Sequence, residues 1–271
     1  MKFESLARAL GKKSESEEEK KPKGHFEGIV PPRLRNEEAE RIISEKVDFQ
    51  SIEDELDKLR MSPYENPIDP FNKKEGVIKA AARLVLELRD RLPHYDTILS
   101  DDASGRLVSL LLKKVIDHKK EEMGEKKTAT FFLASGRHGS AAIDKSIRKF
   151  IGKKKEELGK TLLVTEYIES GKSIEKLARA LEDKRVDFDI ATLSIERLPQ
   201  YYGDTQFPRH LYYGALGKQG LSFYDQENFG GVTKGERGPH PEKSAFAVRS
   251  DIERARKEIA IIADGLENLL S

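Results

Sequence analysis

The chain has 271 residues, no cysteine and no tryptophan, and its 49 basic residues nearly balance 48 acidic ones, for a formal charge of +1. This excludes disulfides, thiolate metal sites and a cysteine nucleophile, and it argues against a strongly basic nucleic-acid binder. With 37% hydrophobic and 36% charged residues, it can form one large α/β domain with an extension, or two small domains, under a heavily charged surface. No apolar run approaches the roughly 20 residues that span a bilayer. The N-terminus lacks the apolar segment of a secretory signal, so cytoplasmic residence is expected.

Residues 1–24 begin with KFESLARAL and continue as KKSESEEEKKPK, a composition that predicts a disordered tail or a partner-binding arm. Residues 25–76 read as a helical extension. Over 36–61, Ile42, Ile43, Val47, Ile52, Leu56 and Leu59 form an apolar stripe at near-helical spacing. Ser51 followed by Asp54 suits a capping box and would split this stretch into two helices. Pro63, Pro67, Pro70 and Gly76 suit a connector. The extension carries no evident chemistry. It could pack on the rest of the chain, cover a site, form a homo-oligomer or dock a protein partner.

Residues 77–271 read as an α/β domain. A helix over 77–92 stops at Pro93, and strands are expected at 96–100, 128–134, 161–166, 188–195 and 210–215. Helices are expected at 106–120, 141–157 and 172–183, and the basic run Lys153–Lys155, followed by Glu156 and Glu157, reads as a solvated face. The alternation predicts a doubly wound, mostly parallel sheet of about five strands, with right-handed crossovers and helices on both faces. After Ala215 the chain becomes Gly-rich, as lids and binding segments often are. A final helix from Asp251 to Leu269 would start at a Ser250–Glu253 capping box and turn Ile252, Ala255, Ile259, Ile262, Ala263 and Leu266 to the core.

Three times an apolar strand runs into Ser-Gly and a cation: Ser104-Gly105-Arg106, Ser135-Gly136-Arg137 and Ser170-Gly171-Lys172. The serines are spaced by about one strand–helix–strand unit. Parallel strands would bring all three turns to one sheet edge, where open α/β sheets bind ligands. Backbone N–H groups, a positive helix end and a cation suit phosphate. Serine is also a common helix cap and glycine a common turn residue, so each turn has a purely structural reading.

The third turn is the most specific. Its Lys172-Ser173 invites comparison with the phosphate loop of nucleoside triphosphatases, but Glu166 stands where that motif needs glycine. The segment Val164-Thr165-Glu166-Tyr167-Ile168-Glu169-Ser170-Gly171-Lys172-Ser173 instead resembles the ribose-phosphate loop of type I phosphoribosyltransferases. That family's pattern is a hydrophobic strand, two acidic residues, three further residues and Thr/Ser-Gly-x-Thr/Ser. Here Thr165 replaces the first acid, and Lys172 and Glu169 are unusual.

The resemblance covers roughly residues 77–215. It implies that Ser170, Gly171, Lys172 and Ser173 hold a 5-phosphate and that Thr165 and Glu166 meet ribose hydroxyls. It also implies that Asp101, Asp102, Ser104, Gly105 and Arg106 meet pyrophosphate, with Asp101 or Asp102 reaching Mg²⁺ through water. Ser135, Gly136, Arg137 and His138 would form a mobile catalytic loop. The implied activity moves ribose 5-phosphate from phosphoribosyl pyrophosphate to a nitrogen nucleophile, with Arg106, Arg137 and Glu166 as the catalytic set. The alternatives are a non-catalytic sensor of phosphoribosyl pyrophosphate or a nucleotide, and an unrelated enzyme acting on phosphoesters. Among Tyr201, Tyr202, Tyr212, Tyr213, Phe223 and Tyr224, the last two are the better candidates for stacking on a base. The six histidines show no metal-ligand spacing.

Overall fold

The computed structural model describes residues 34, 36–60, 74–133, 141–197, 210–217, 223, 232–233, 242–243 and 249–271. Five strands form one all-parallel sheet: β1 Thr97–Asp101, β2 Ala129–Leu133, β3 Thr161–Ile168, β4 Phe188–Ile195 and β5 Leu211–Leu216. Their order is β2-β1-β3-β4-β5. The helices are α1 Asn36–Lys46, α2 Phe49–Arg60, α3 Lys74–Leu88, α4 Asp102–Glu122, α5 Ala141–Leu158, α6 Lys172–Asp183 and α7 Arg249–Gly265. In the Gly-rich stretch, β6 Val232–Thr233 and β7 Glu242–Lys243 pair antiparallel. The tail at 1–24 and connector residues 62–73 lie outside the described residues, whereas Gly76, expected in the connector, falls inside α3. No described helix is long and apolar enough to cross a membrane.

Strands covered on both faces need apolar side chains in both directions. All eight residues of β4 are accordingly buried, as are all five of β1, whereas edge strand β2 fully buries only Leu133. Leu162, Val164, Ala191, Leu193 and Tyr212 face one core with α3, α4 and α7. Leu163, Phe188, Ile190, Leu211 and Tyr213 face the other, with α5 and α6. The chain therefore steps from β1 to β2 across one face and back from β2 to β3 across the other. A single crossover hand requires that change of face when the direction of winding reverses.

The extension is an outer layer of the first core. Helix α1 packs on α3 and α2 on α7, and the stripe residues Ile43, Val47, Ile52 and Leu56 are buried within the chain. Gly265 permits the approach of α2: a β-carbon there would come within 2.4 Å of Ile52 Cγ1. Arg83, on α3, donates to Glu87 at 2.7 Å and to the Leu34 carbonyl at 2.6 Å, with both side chains of the ion pair almost wholly buried.

Four helices differ from expectation. Helix α3 begins at Lys74 and ends at Leu88, short of Pro93, which falls in a separate 3-10 turn at Leu92–His94. The break in the extension falls at Asp48, whose carboxylate accepts the Ser51 N–H at 3.0 Å, so Ser51 is capped rather than capping. Helix α7 starts at Arg249, placing Ser250 inside its first turn, and Glu253 accepts from the Arg249 Nε at 2.8 Å. Helix α4 starts at Asp102, so Ser104-Gly105-Arg106 is helix and not a turn. The chain enters α4 directly from β1, with Asp101 as the last strand residue.

At the N-terminal edge of the sheet, the Tyr95 hydroxyl donates to Asp189 Oδ2 at 2.7 Å, and Arg91 lies 3.5 Å from the same oxygen. Burial, then the Asp189 charge, raises the Tyr95 pKa far above its ordinary 10.0. Burial also pushes Tyr212 up to about 12.

Two predictions follow from these contacts. Arg83→Ala removes one partner of the buried Arg83–Glu87 ion pair together with the bond to the Leu34 carbonyl, and should lower stability in urea denaturation by about 3–5 kcal/mol. Both phenols hold their protons longer when folded, so their contribution is complete below the ordinary pKa of 10.0 and is lost above it, through about 12 for Tyr212. Stability against pH should fall over that alkaline window, and Tyr95→Phe should flatten the fall while costing about 1–3 kcal/mol at neutral pH through the lost Asp189 bond.

Candidate functional site

The reversal of winding lies between β1 and β3, where Ser100 is level with Val164. Strand β1 ends at Asp101, while β3 continues to Ile168 beside β4. This difference in length leaves a step at the C-terminal edge. Open α/β sheets bind ligands at such a switch point because the helices leaving the two strands diverge to opposite faces. A cavity of about 260 Å³ occupies the step, smaller than the roughly 300–1,000 Å³ of sites for drug-sized ligands.

Asp101 and Thr165, each 2% exposed, form the floor. Tyr167 and Glu169 continue along β3 and its end, and Ser170, Gly171 and Ser173 close the cavity at the start of α6. Gly171 precedes the helix with φ +76°, a left-handed conformation that costs other residues about 1–2 kcal/mol. Its carbonyl accepts the Glu175 N–H at 2.9 Å. The first N–H groups of a helix lack intrahelical acceptors, and here they open onto an edge that also carries serine hydroxyls. That combination suits a phosphate-sized anion.

Gly105 has a packing role. A β-carbon there would lie 2.6 Å from the Val164 carbonyl oxygen and 3.2 Å from Thr165 Cα. Its absence lets the first turn of α4 press on β3 beneath the cavity floor. Asp102 and Ser104 occupy the same first turn.

The other expected site residues are dispersed. Arg106 turns toward β2, its guanidinium 4.3 Å from the Phe132 ring centre. The Glu166 carboxylate accepts the Phe223 N–H at 3.0 Å, tying the segment after β5 to the end of β3. Phe223 is fully buried in the first core, so its ring is not available to stack on a base. Tyr212 and Tyr213 are likewise buried, on opposite sheet faces. Lys172 lines a groove between α5 and α6 instead of the cavity. Ser135, Gly136, Arg137 and His138, with Tyr201, Tyr202 and Tyr224, lie outside the described residues.

Tyr167 is a wall residue that motif reading passes over, although its place two residues after Thr165 in β3 puts it on the same side of the strand. Partial burial raises its pKa, and the Glu196 and Glu169 carboxylates add to the rise. It therefore stays a neutral hydroxyl at physiological pH.

No protein-family model matches the chain, and no curated protein matches it either.

Gly105→Ala should push α4 away from β3. The expected loss is about 1–3 kcal/mol in chemical denaturation, the usual cost of overpacking.

Proposed function

We propose that the cavity at the β1–β3 step binds a phosphorylated ribose, either phosphoribosyl pyrophosphate or a nucleotide. The observation that carries this reading is the convergence of Thr165, Ser170, Gly171 and Ser173 with Asp101 on one cavity. In this reading the 5-phosphate sits on the Ser170 and Ser173 hydroxyls and the first N–H groups of α6, while Thr165 meets a ribose hydroxyl.

Transfer of ribose 5-phosphate follows as the activity. The C1–O bond to pyrophosphate breaks, and its electron pair leaves with the pyrophosphate. The lone pair of a nitrogen nucleophile forms the new C1–N bond, and the nitrogen's proton passes to solvent. The protein would contribute positioning and stabilisation of the leaving charge.

Magnesium is the cofactor this reading implies. Asp101 brings one carboxylate to the cavity, and no group of three or more His, Asp or Glu that could hold a metal ion occurs among the described residues. Magnesium usually keeps several waters and binds one or two carboxylates together with substrate phosphates. The residues present fit an ion that arrives on a diphosphate, with Asp101 reaching it through water. Bound there, it would neutralise the departing pyrophosphate.

A second reading, a non-catalytic sensor, is favoured by three particulars. Thr165 brings no charge to the ribose. Glu166 is engaged with Phe223, and Arg106 lies against Phe132. Such a protein would bind the same ligand and pass the signal to a partner.

The test is thermal unfolding with phosphoribosyl pyrophosphate, with and without Mg²⁺, on wild type and the Ser170→Ala/Ser173→Ala double variant. Ligand at 100 times its Kd should stabilise wild type by about 2.7 kcal/mol, and the double variant should lose most of that. No shift at millimolar ligand, or an equal shift in both proteins, overturns the reading. Pyrophosphate release across a panel of nucleobases then separates a transferase from a sensor.

A further inference from the structure

A second cavity, of about 400 Å³, opens between α5 and α6 on the face opposite α4. Its charged lining is Asp144 and Arg148 from α5 and Lys172, Glu175, Lys176 and Arg179 from α6. Arg148 pairs with Asp183, and Arg179 with Glu175. Lys172 and Lys176 lie one turn apart on α6 and have no ion-pair partner among the described residues. Like charges at that spacing destabilise a helix.

Asp144 adds a second, independent cost. Its Oδ1 is buried and accepts no hydrogen bond among the described residues. A buried carboxylate oxygen without a donor bears its desolvation uncompensated. One kind of occupant relieves both costs, an anionic group between the lysines that also carries an O–H to donate to Asp144. Inorganic phosphate at neutral pH also carries an O–H, but on the same small anion that the lysines would hold, so donating it to Asp144 brings like charges together. A neutral sugar leaves the lysines uncompensated. A phosphate ester of a polyol has both parts.

We propose that the α5–α6 groove is a second ligand site for a sugar phosphate, with the phosphate on Lys172 and Lys176 and a hydroxyl donating to Asp144 Oδ1. The first turn of α6 borders both sites. Gly171, Ser173 and Ile174 face the β1–β3 cavity, while Lys172, Glu175 and Lys176 face the groove. The two sites are nonetheless separable by substitution.

The experiment is calorimetric titration of the full chain with ribose 5-phosphate, ribose and inorganic phosphate. Wild type is compared with Lys176→Gln, Lys176→Arg, Asp144→Asn and the Ser170→Ala/Ser173→Ala double variant. Lys176→Gln should weaken ribose 5-phosphate about tenfold, with Lys176→Arg restoring most of the affinity. Asp144→Asn should erase the preference for ribose 5-phosphate over inorganic phosphate. The ligand-free melting temperature of Lys176→Arg should match wild type, and that of Lys176→Gln should equal or slightly exceed it, because the repulsion with Lys172 is relieved.

Affinity lost in Lys176→Gln but kept in the serine double variant supports the groove and counts against the β1–β3 cavity. The reverse pattern overturns the groove and leaves the cavity reading standing. Equal affinity for inorganic phosphate and ribose 5-phosphate, with Asp144→Asn silent, overturns the proposal by reducing the groove to a basic patch. No binding of ribose 5-phosphate by wild type overturns it as well.

Discussion

The adjacency of β1 and β3 is the constraint from which the rest of this structure follows. Because the sheet grows in both directions from that pair, α4 and α6 must leave their strands on opposite faces. Among the described residues nothing fills the space between them above the shorter strand, so a cavity forms there. Two glycines make the arrangement possible at close range. Gly105 removes the side chain that would hold α4 off β3, and Gly171 supplies the left-handed turn into α6.

Charge is distributed around this edge with little redundancy. Glu166 holds a backbone N–H of the segment after β5, and Arg106 covers an aromatic ring on the edge strand. Each group, as placed, makes a contact within the chain, and any ligand that recruits it must compete with that contact. The β1–β3 cavity presents hydroxyls and helix-start amides instead. Hydroxyl and backbone donors suit an anion without adding a fixed positive charge. The groove beside it is built differently, with lysines and a buried carboxylate oxygen.

The N-terminal helices belong to the same physical unit. Their apolar stripe is consumed by α3 and α7, and the Arg83–Glu87 pair extends to the Leu34 carbonyl. A buried ion pair contributes less net stability than its geometry suggests, but it penalises any register that leaves one partner alone. The extension is thereby fixed in one position over the first core. The faces of α1 and α2 left to solvent carry mainly charged residues.

Sequence alone determined the strands, because a parallel sheet covered on both faces demands continuous apolar runs such as Leu162-Leu163-Val164, and those runs are visible locally. It also determined the start of α6, where a glycine with positive φ and flanking serines form a local signature. The start of α4 was not legible, since Asp-Asp-Ala-Ser-Gly reads equally as a turn and as a first helical turn. Side-chain partnerships were decided only by the tertiary structure. Arg106 meets a ring on β2, Glu166 meets a backbone N–H far along the chain, Phe223 enters a core built from distant helices, and Lys172 faces α5. Each choice depends on which elements become neighbours and on which face a residue emerges, and the spacing within a motif encodes neither.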